Sequence, residues 1–135
     1  MTLEKYSKKD FYFWVSKIEE IKNWILDTKE ILEIKDIEAD VIVVMPASRT
    51  RMQEYMEEHP EEITEESAQK LHDFDVFIYE NIDLAYSTFS EFYWKRSEYA
   101  PPKSHWWWWL DDYFEGARDI NPDDVWIEWE RRKGK

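Results

Sequence analysis

The residue types that ordinarily carry chemistry are scarce in this chain. It has three histidines, His59, His72 and His105, and no cysteine. Thiolate catalysis and disulfides are therefore excluded, and a zinc site would have to be built from imidazoles and carboxylates alone. None of the histidines belongs to an HExxH motif, a DxDxDG loop or an i, i+4 His pair. His72 beside Asp73 and Asp75, and His105 ahead of Asp111, Asp112 and Glu115, are the combinations that could bind a cation or move a proton. Such pairs arise by chance in a chain with 31 acidic residues. The only glycines are Gly116 and Gly134, so a glycine-rich phosphate cradle is absent. The expectation is a chain that is not an enzyme, with no catalytic, cofactor-binding or metal-binding residues.

What the sequence does concentrate is negative charge. The formal net charge is −13, and it is local. Residues 1–35 hold seven acidic and seven basic side chains, residues 95–135 nine and eight, and residues 36–94 fifteen acidic against Arg49, Arg51 and Lys70. Glu54, Glu57, Glu58, Glu61, Glu62, Glu65 and Glu66 form the densest part. A field of this sign repels nucleic acid and anionic membrane and draws in basic surfaces. Carboxylates at i and i+4 of a helix stand about 6 Å apart, close to the phosphate spacing of a nucleic-acid strand. Because Pro60 interrupts the row, any imitation of a phosphate backbone is by patch. The blander reading is a solvated face that keeps the protein dispersed.

The second unusual feature is Trp106-Trp107-Trp108-Trp109. On an α-helix four successive side chains sweep most of the circumference. Trp106 and Trp109 align with Leu110 and Tyr113 at core spacing, whereas Trp108 aligns with Asp112 and Glu115. Trp108 is thus expected to point outward, with Trp107 at the boundary, and the pair becomes a candidate partner-binding or self-association surface. Tyr79, Tyr86 and Tyr93 recur every seven residues and suit the rim of a core.

These features must be positioned by helices. Ser7 can cap a helix over Lys8 to Glu33, with Phe11, Trp14, Ile18, Ile21, Ile25 and Leu32 on one face. Ser48 can cap a short helix that His59-Pro60 ends. Thr64 opens a long one reaching Tyr99, with Leu71, Phe74, Ile78, Ile82, Ala85, Phe89 and Phe92 as its stripe. Ser104 can cap a helix carrying the tryptophans, and Asn121-Pro122 starts the last. Residues 37–45 keep helical spacing, although Val41-Ile42-Val43-Val44 would equally suit a strand. The spacing predicts a single all-α domain spanning residues 1–135, a bundle of four to six helices, with α+β built on one short strand at residues 39–45 as the alternative. Ser48, Arg49 and Arg51 are expected to make local ion pairs.

No apolar run nears the roughly 20 residues of a membrane-spanning helix, and Met1 to Tyr6 lack a signal-peptide apolar region, so the expected location is cytoplasmic. Together these features suggest an acidic protein-binding module that neutralises or inhibits a basic, nucleic-acid-binding partner, as an antitoxin, immunity or viral anti-defence protein would. Its contacts would be the seven glutamates with Trp107 and Trp108, without direct nucleic-acid or membrane binding. The alternative is a homo-oligomerising structural protein, such as a small virion or scaffold subunit.

Overall fold

Where the chain must turn, it uses side chains that compete for backbone groups. The computed structural model describes residues 5–26, 46–116 and 119–133. Among these there is no strand, and the architecture is all-α: α1 (Lys8–Ser16), α2 (Ile18–Leu26), α3 (Ala47–Glu58), α4 (Glu65–Glu80), α5 (Ile82–Phe89), α6 (Arg96–Tyr99), α7 (Leu110–Phe114) and α8 (Asp124–Lys133). Short 3-10 turns occupy Pro60–Glu62, Ser90–Lys95 and Trp106–Trp108. The segment at residues 39–45, where helix and strand competed, lies outside the described residues. No described helix is long and apolar enough to cross a membrane.

The helices are more numerous and shorter than the apolar spacing implies, because two long stripes are broken. Ser7 caps α1 as expected, in a reciprocal box with Asp10. At Lys17 the helix stops and restarts, and Ser16 Oγ donates to the Phe13 carbonyl just before it. Thr64 caps α4 by accepting from the Ser67 N–H. That helix ends at Asn81 rather than at Tyr99: the backbone leaves helical geometry there, and the Asn81 side-chain amide joins its own N–H on the Phe77 carbonyl. Pro46 and not Ser48 precedes α3; Ser48 is buried inside it.

Within the described residues the expected stripes nevertheless face the core, with Ile82 partly buried; Leu32, with the end of the first expected helix, and the Phe92 side chain lie outside what is described. Phe11, Trp14, Ile18, Ile21 and Ile25 from α1 and α2 join Leu71, Phe74, Ile78, Ala85 and Phe89 from α4 and α5, all buried. Trp14 meets Phe74 edge to face. Tyr12 OH donates to the Glu62 carbonyl and accepts from the Thr64 N–H, tying α1 to the turn between α3 and α4.

The tryptophan run departs from expectation most. It is a single 3-10 turn followed by α7, not one helix capped by Ser104. Tertiary donors take the carbonyls that an α-helix would use internally: Tyr93 OH binds the Trp107 carbonyl at 2.6 Å and Arg96 the Trp108 carbonyl at 2.9 Å. In a 3-10 turn three successive side chains point about 120° apart. All three directions are covered here, and Trp106, Trp107 and Trp108 are buried. Trp108, expected outside, lies between Tyr93 and Tyr99. Trp109, expected in the core, is the half-buried one.

Trp108→Ala is therefore expected to cost about 3–5 kcal/mol, as for any enclosed large aromatic, and Trp109→Ala clearly less. Denaturant unfolding of the two variants checks this. Equal stability of Trp108→Ala and the parent chain would contradict the enclosed turn.

Candidate partner-binding face

Inside the molecule, four elements meet at a polar node. Arg49 and Asp75 are fully buried, 26 residues apart in sequence. Arg49 Nε donates to Asp75 Oδ1 at 2.9 Å and Nη2 to Oδ2 at 2.7 Å, the two-pronged geometry that favours arginine. Trp126 Nε1 of α8 also donates to Asp75 Oδ2, at 2.8 Å. The guanidinium lies over the Trp107 ring, 4.4 Å from its centroid, a cation–π contact in a dry setting. Sequence proximity suggested local ion pairs for Arg49; the partner comes instead from α4.

The adjacent Thr50 organises the other side. Its Oγ1 is approached by Trp107 Nε1 at 3.1 Å, Trp108 Nε1 at 2.8 Å and His105 Nδ1 at 3.0 Å. Indoles only donate, and a hydroxyl has two acceptor positions and one hydrogen. Both indoles therefore fill the acceptor positions, and Thr50 donates its hydrogen to His105 Nδ1. This fixes His105 as the neutral ring with its proton on Nε2. Burial, with the nearby Arg49 charge adding to it, pushes His105 down to about 3. The stability this site confers is whole above about pH 6.5 and drains as pH falls toward 3, because the unfolded chain takes up a proton that the folded ring refuses.

The His pairings suggested by sequence are not formed. Asp111 is bound by Arg96 through two bonds of 2.8 Å, which hold its carboxyl below the usual range, and Asp112 is bound by Lys103. His72 meets Asp123 at 2.8 Å, not Asp73 or Asp75. Among the described residues only His59, Glu61 and Glu62 bring three potential cation ligands together. Of these, Glu62 already accepts from Tyr55 OH.

The node fixes where the acidic groups stand. Glu54, Glu57 and Glu58 lie on α3, Glu61 and Glu62 on the 3-10 turn, and Glu65 and Glu66 in the first turn of α4. Glu58, Glu61, Glu65 and Glu66 are exposed; Glu54, Glu57 and Glu62 are partly buried. Burial, followed by the neighbouring Glu58, holds the Glu54 carboxyl above its ordinary range. Trp108, expected to point outward, and Trp107, expected at the boundary, are instead inside, where they support α3.

Sequence reasoning missed the contribution of α8, whose region is nearly neutral overall. The helix packs on α3 and on the Pro60–Glu62 turn. A cleft of about 440 Å³ between α3 and α8 is lined by Glu57, Asp124 and Glu128, with Ser104 and His105. A second, of about 370 Å³ between α4 and α8, is lined by Glu65 and Glu130, with His72, Trp126 and Trp129. At about 100° per residue, positions 124, 125 and 128 lie nearly opposite 126, 129 and 130. α8 thus presents carboxylates to an acidic cleft on each side. A contact between residues more than 60 positions apart leaves no local signal.

Comparisons of the chain with protein families, with curated proteins and with solved structures find no match. The reading of function therefore rests on the geometry of this face.

Asp75→Asn should cost about 3–5 kcal/mol, because it leaves the Arg49 charge buried without a counter-ion. The double replacement Arg49→Met with Asp75→Leu should be less damaging than Asp75→Asn alone, the remaining cost being an indole N–H of Trp126 left unpaired. Urea unfolding of the three proteins checks the order, and a double variant weaker than Asp75→Asn would contradict it.

Proposed function

We propose that this chain is an acidic protein-binding module that docks on the basic, nucleic-acid-binding surface of a partner and neutralises it, in the manner of an antitoxin, an immunity protein or an anti-defence protein. One observation carries the reading: carboxylates from two distant segments come together along both sides of α8. Glu57 and Glu65 face Asp124, Glu128 and Glu130 across the two clefts beside α8. Like charges brought together lower stability. A basic partner surface relieves the repulsion and is steered to the face over roughly a Debye length. Such a partner would be met in the cytoplasm.

The oligomeric alternative drew its support from Trp107 and Trp108, and both are enclosed. The most exposed large apolar residue among those described is Trp94. It lies outside the run that prompted that reading.

Capture from native lysate on the immobilised full chain should yield a basic protein that is released at about 0.5 M salt, where screening is short-ranged, and is displaced by duplex DNA. The variant Glu54→Gln, Glu58→Gln, Glu61→Gln should melt at the same temperature or higher, since the Lys5–Glu58 pair it removes is exposed and worth little. It should associate with the captured protein about tenfold more slowly at low salt. Salt-insensitive capture, self-association alone or an unchanged rate would overturn the reading.

A further inference from the structure

The cleft between α3 and α8 contains one group that a merely acidic surface does not call for. His105 is 5% exposed, yet it stands in the wall of this cleft. Its Nδ1 is committed to Thr50. The proton forced onto Nε2 makes that atom a donor, and Nε2 has no hydrogen-bond partner among the described residues. A buried imidazole N–H at the wall of a cleft is an orientation-fixing polar group of the kind that ligand sites use.

The surrounding groups have the opposite character. Glu57 and Glu128 are held in place, the first by accepting from Gln53 Nε2 at 3.0 Å and the second by Arg131 at 3.0 Å, while Asp124 is exposed at the start of α8. A guest that complements the whole cleft brings a cation to this group of carboxylates, in addition to the contacts that Gln53 and Arg131 already make, and a neutral acceptor for the imidazole N–H. The cleft, about 440 Å³, falls within the range of small-ligand sites, roughly 300–1,000 Å³.

We propose that this cleft seats one lysine or arginine of an extended peptide segment, with its charged head among Glu57, Asp124 and Glu128 and a backbone carbonyl of the same segment accepting from His105 Nε2–H. This rests on the reading of the chain as a binder of basic proteins and names the point at which such a partner is gripped. A divalent cation is the competing guest, and the tautomer argues against it. With the proton on Nε2, His105 has no lone pair to offer there. Moving the proton to Nδ1 would place three donors around the two acceptor positions of Thr50. The same constraint prevents Nε2 from acting as a general base.

The test uses the full chain with ¹⁵N-labelled histidine and two blocked peptides, acetyl-Gly-Arg-Gly-amide and acetyl-Gly-Gln-Gly-amide. Nε2 of His105 should carry the proton in the free protein. The arginine peptide should shift that signal saturably, and the glutamine peptide should bind about tenfold or more weakly. Asp124→Asn with Glu128→Gln should weaken the arginine peptide by about tenfold or more while the indole N–H signals stay in place, which shows that the fold is kept. Equal binding of both peptides, no shift at His105, or no effect of the double variant would overturn the proposal. Loss of the Nε2 proton on adding Zn²⁺ alone would also overturn it, in favour of a metal site. Lysate capture separates the two levels of the argument. If Asp124→Asn with Glu128→Gln still captures the salt-sensitive partner and the arginine peptide does not bind the parent, the cleft is refuted and the acidic face stands. If the arginine peptide binds as expected and capture is insensitive to salt, the acidic-face reading is refuted and the cleft stands.

Discussion

The structure depends on a buried charge pair. Arg49 and Asp75 are both inaccessible to water, and an ion pair taken fully out of water is worth having only if its geometry is close to ideal and its remaining polar atoms are served. Here the two-pronged pairing, the third bond to Asp75 from Trp126 and the Trp107 face over the guanidinium supply most of that service, while Arg49 Nη1 has no hydrogen-bond partner among the described residues. A hydrophobic pair could hold the same helices together, but it would not fix their rotation. The charge pair does so for α3 against α4, and the indole N–H extends the constraint to α8.

Thr50, one residue along, sets the second constraint. Its single hydroxyl joins the Trp106–Trp108 turn and His105 to α3 through three bonds, and donor counting leaves one arrangement of protons. The tryptophans are consequently part of a rigid scaffold. What they present outward is not indole but the placement of α3 and α8, and with it the spacing of the carboxylates on the two helices. Stability inside and charge outside are linked through the same residues.

Much of the fold was legible because it depends on local rules. Ser7 and Thr64 announce their helices, and the three- and four-residue apolar spacing picks out Phe11, Trp14, Leu71, Phe74 and Ile78 correctly as core. The breaks after Ser16 and at Asn81 were not read, since apolar spacing runs through both, although a serine or asparagine inside a stripe is the available signal. Steps of about 100° put Trp108 outside, and the segment does not take them. Bonds from Tyr93 and Arg96, more than ten residues away, wind that segment as a 3-10 turn, and no local pattern encodes them. The same holds for Arg49 with Asp75. The glutamates of the candidate face were legible from charge density, whereas Asp124, Glu128 and Glu130 were masked by the neighbouring basic tail, which balances them in a count along the sequence.

The central claim is that the tryptophan turn is enclosed around Thr50, so that the acidic groups, not the indoles, form the candidate surface. Hydrogen exchange at the indole N–H groups of Trp107 and Trp108, followed by NMR in the native chain, tests it most directly. Both donate to a buried hydroxyl, so both should exchange only through the global unfolding that releases the core amides of α4. Exchange of either indole at the rate of a solvent-exposed tryptophan would contradict the account.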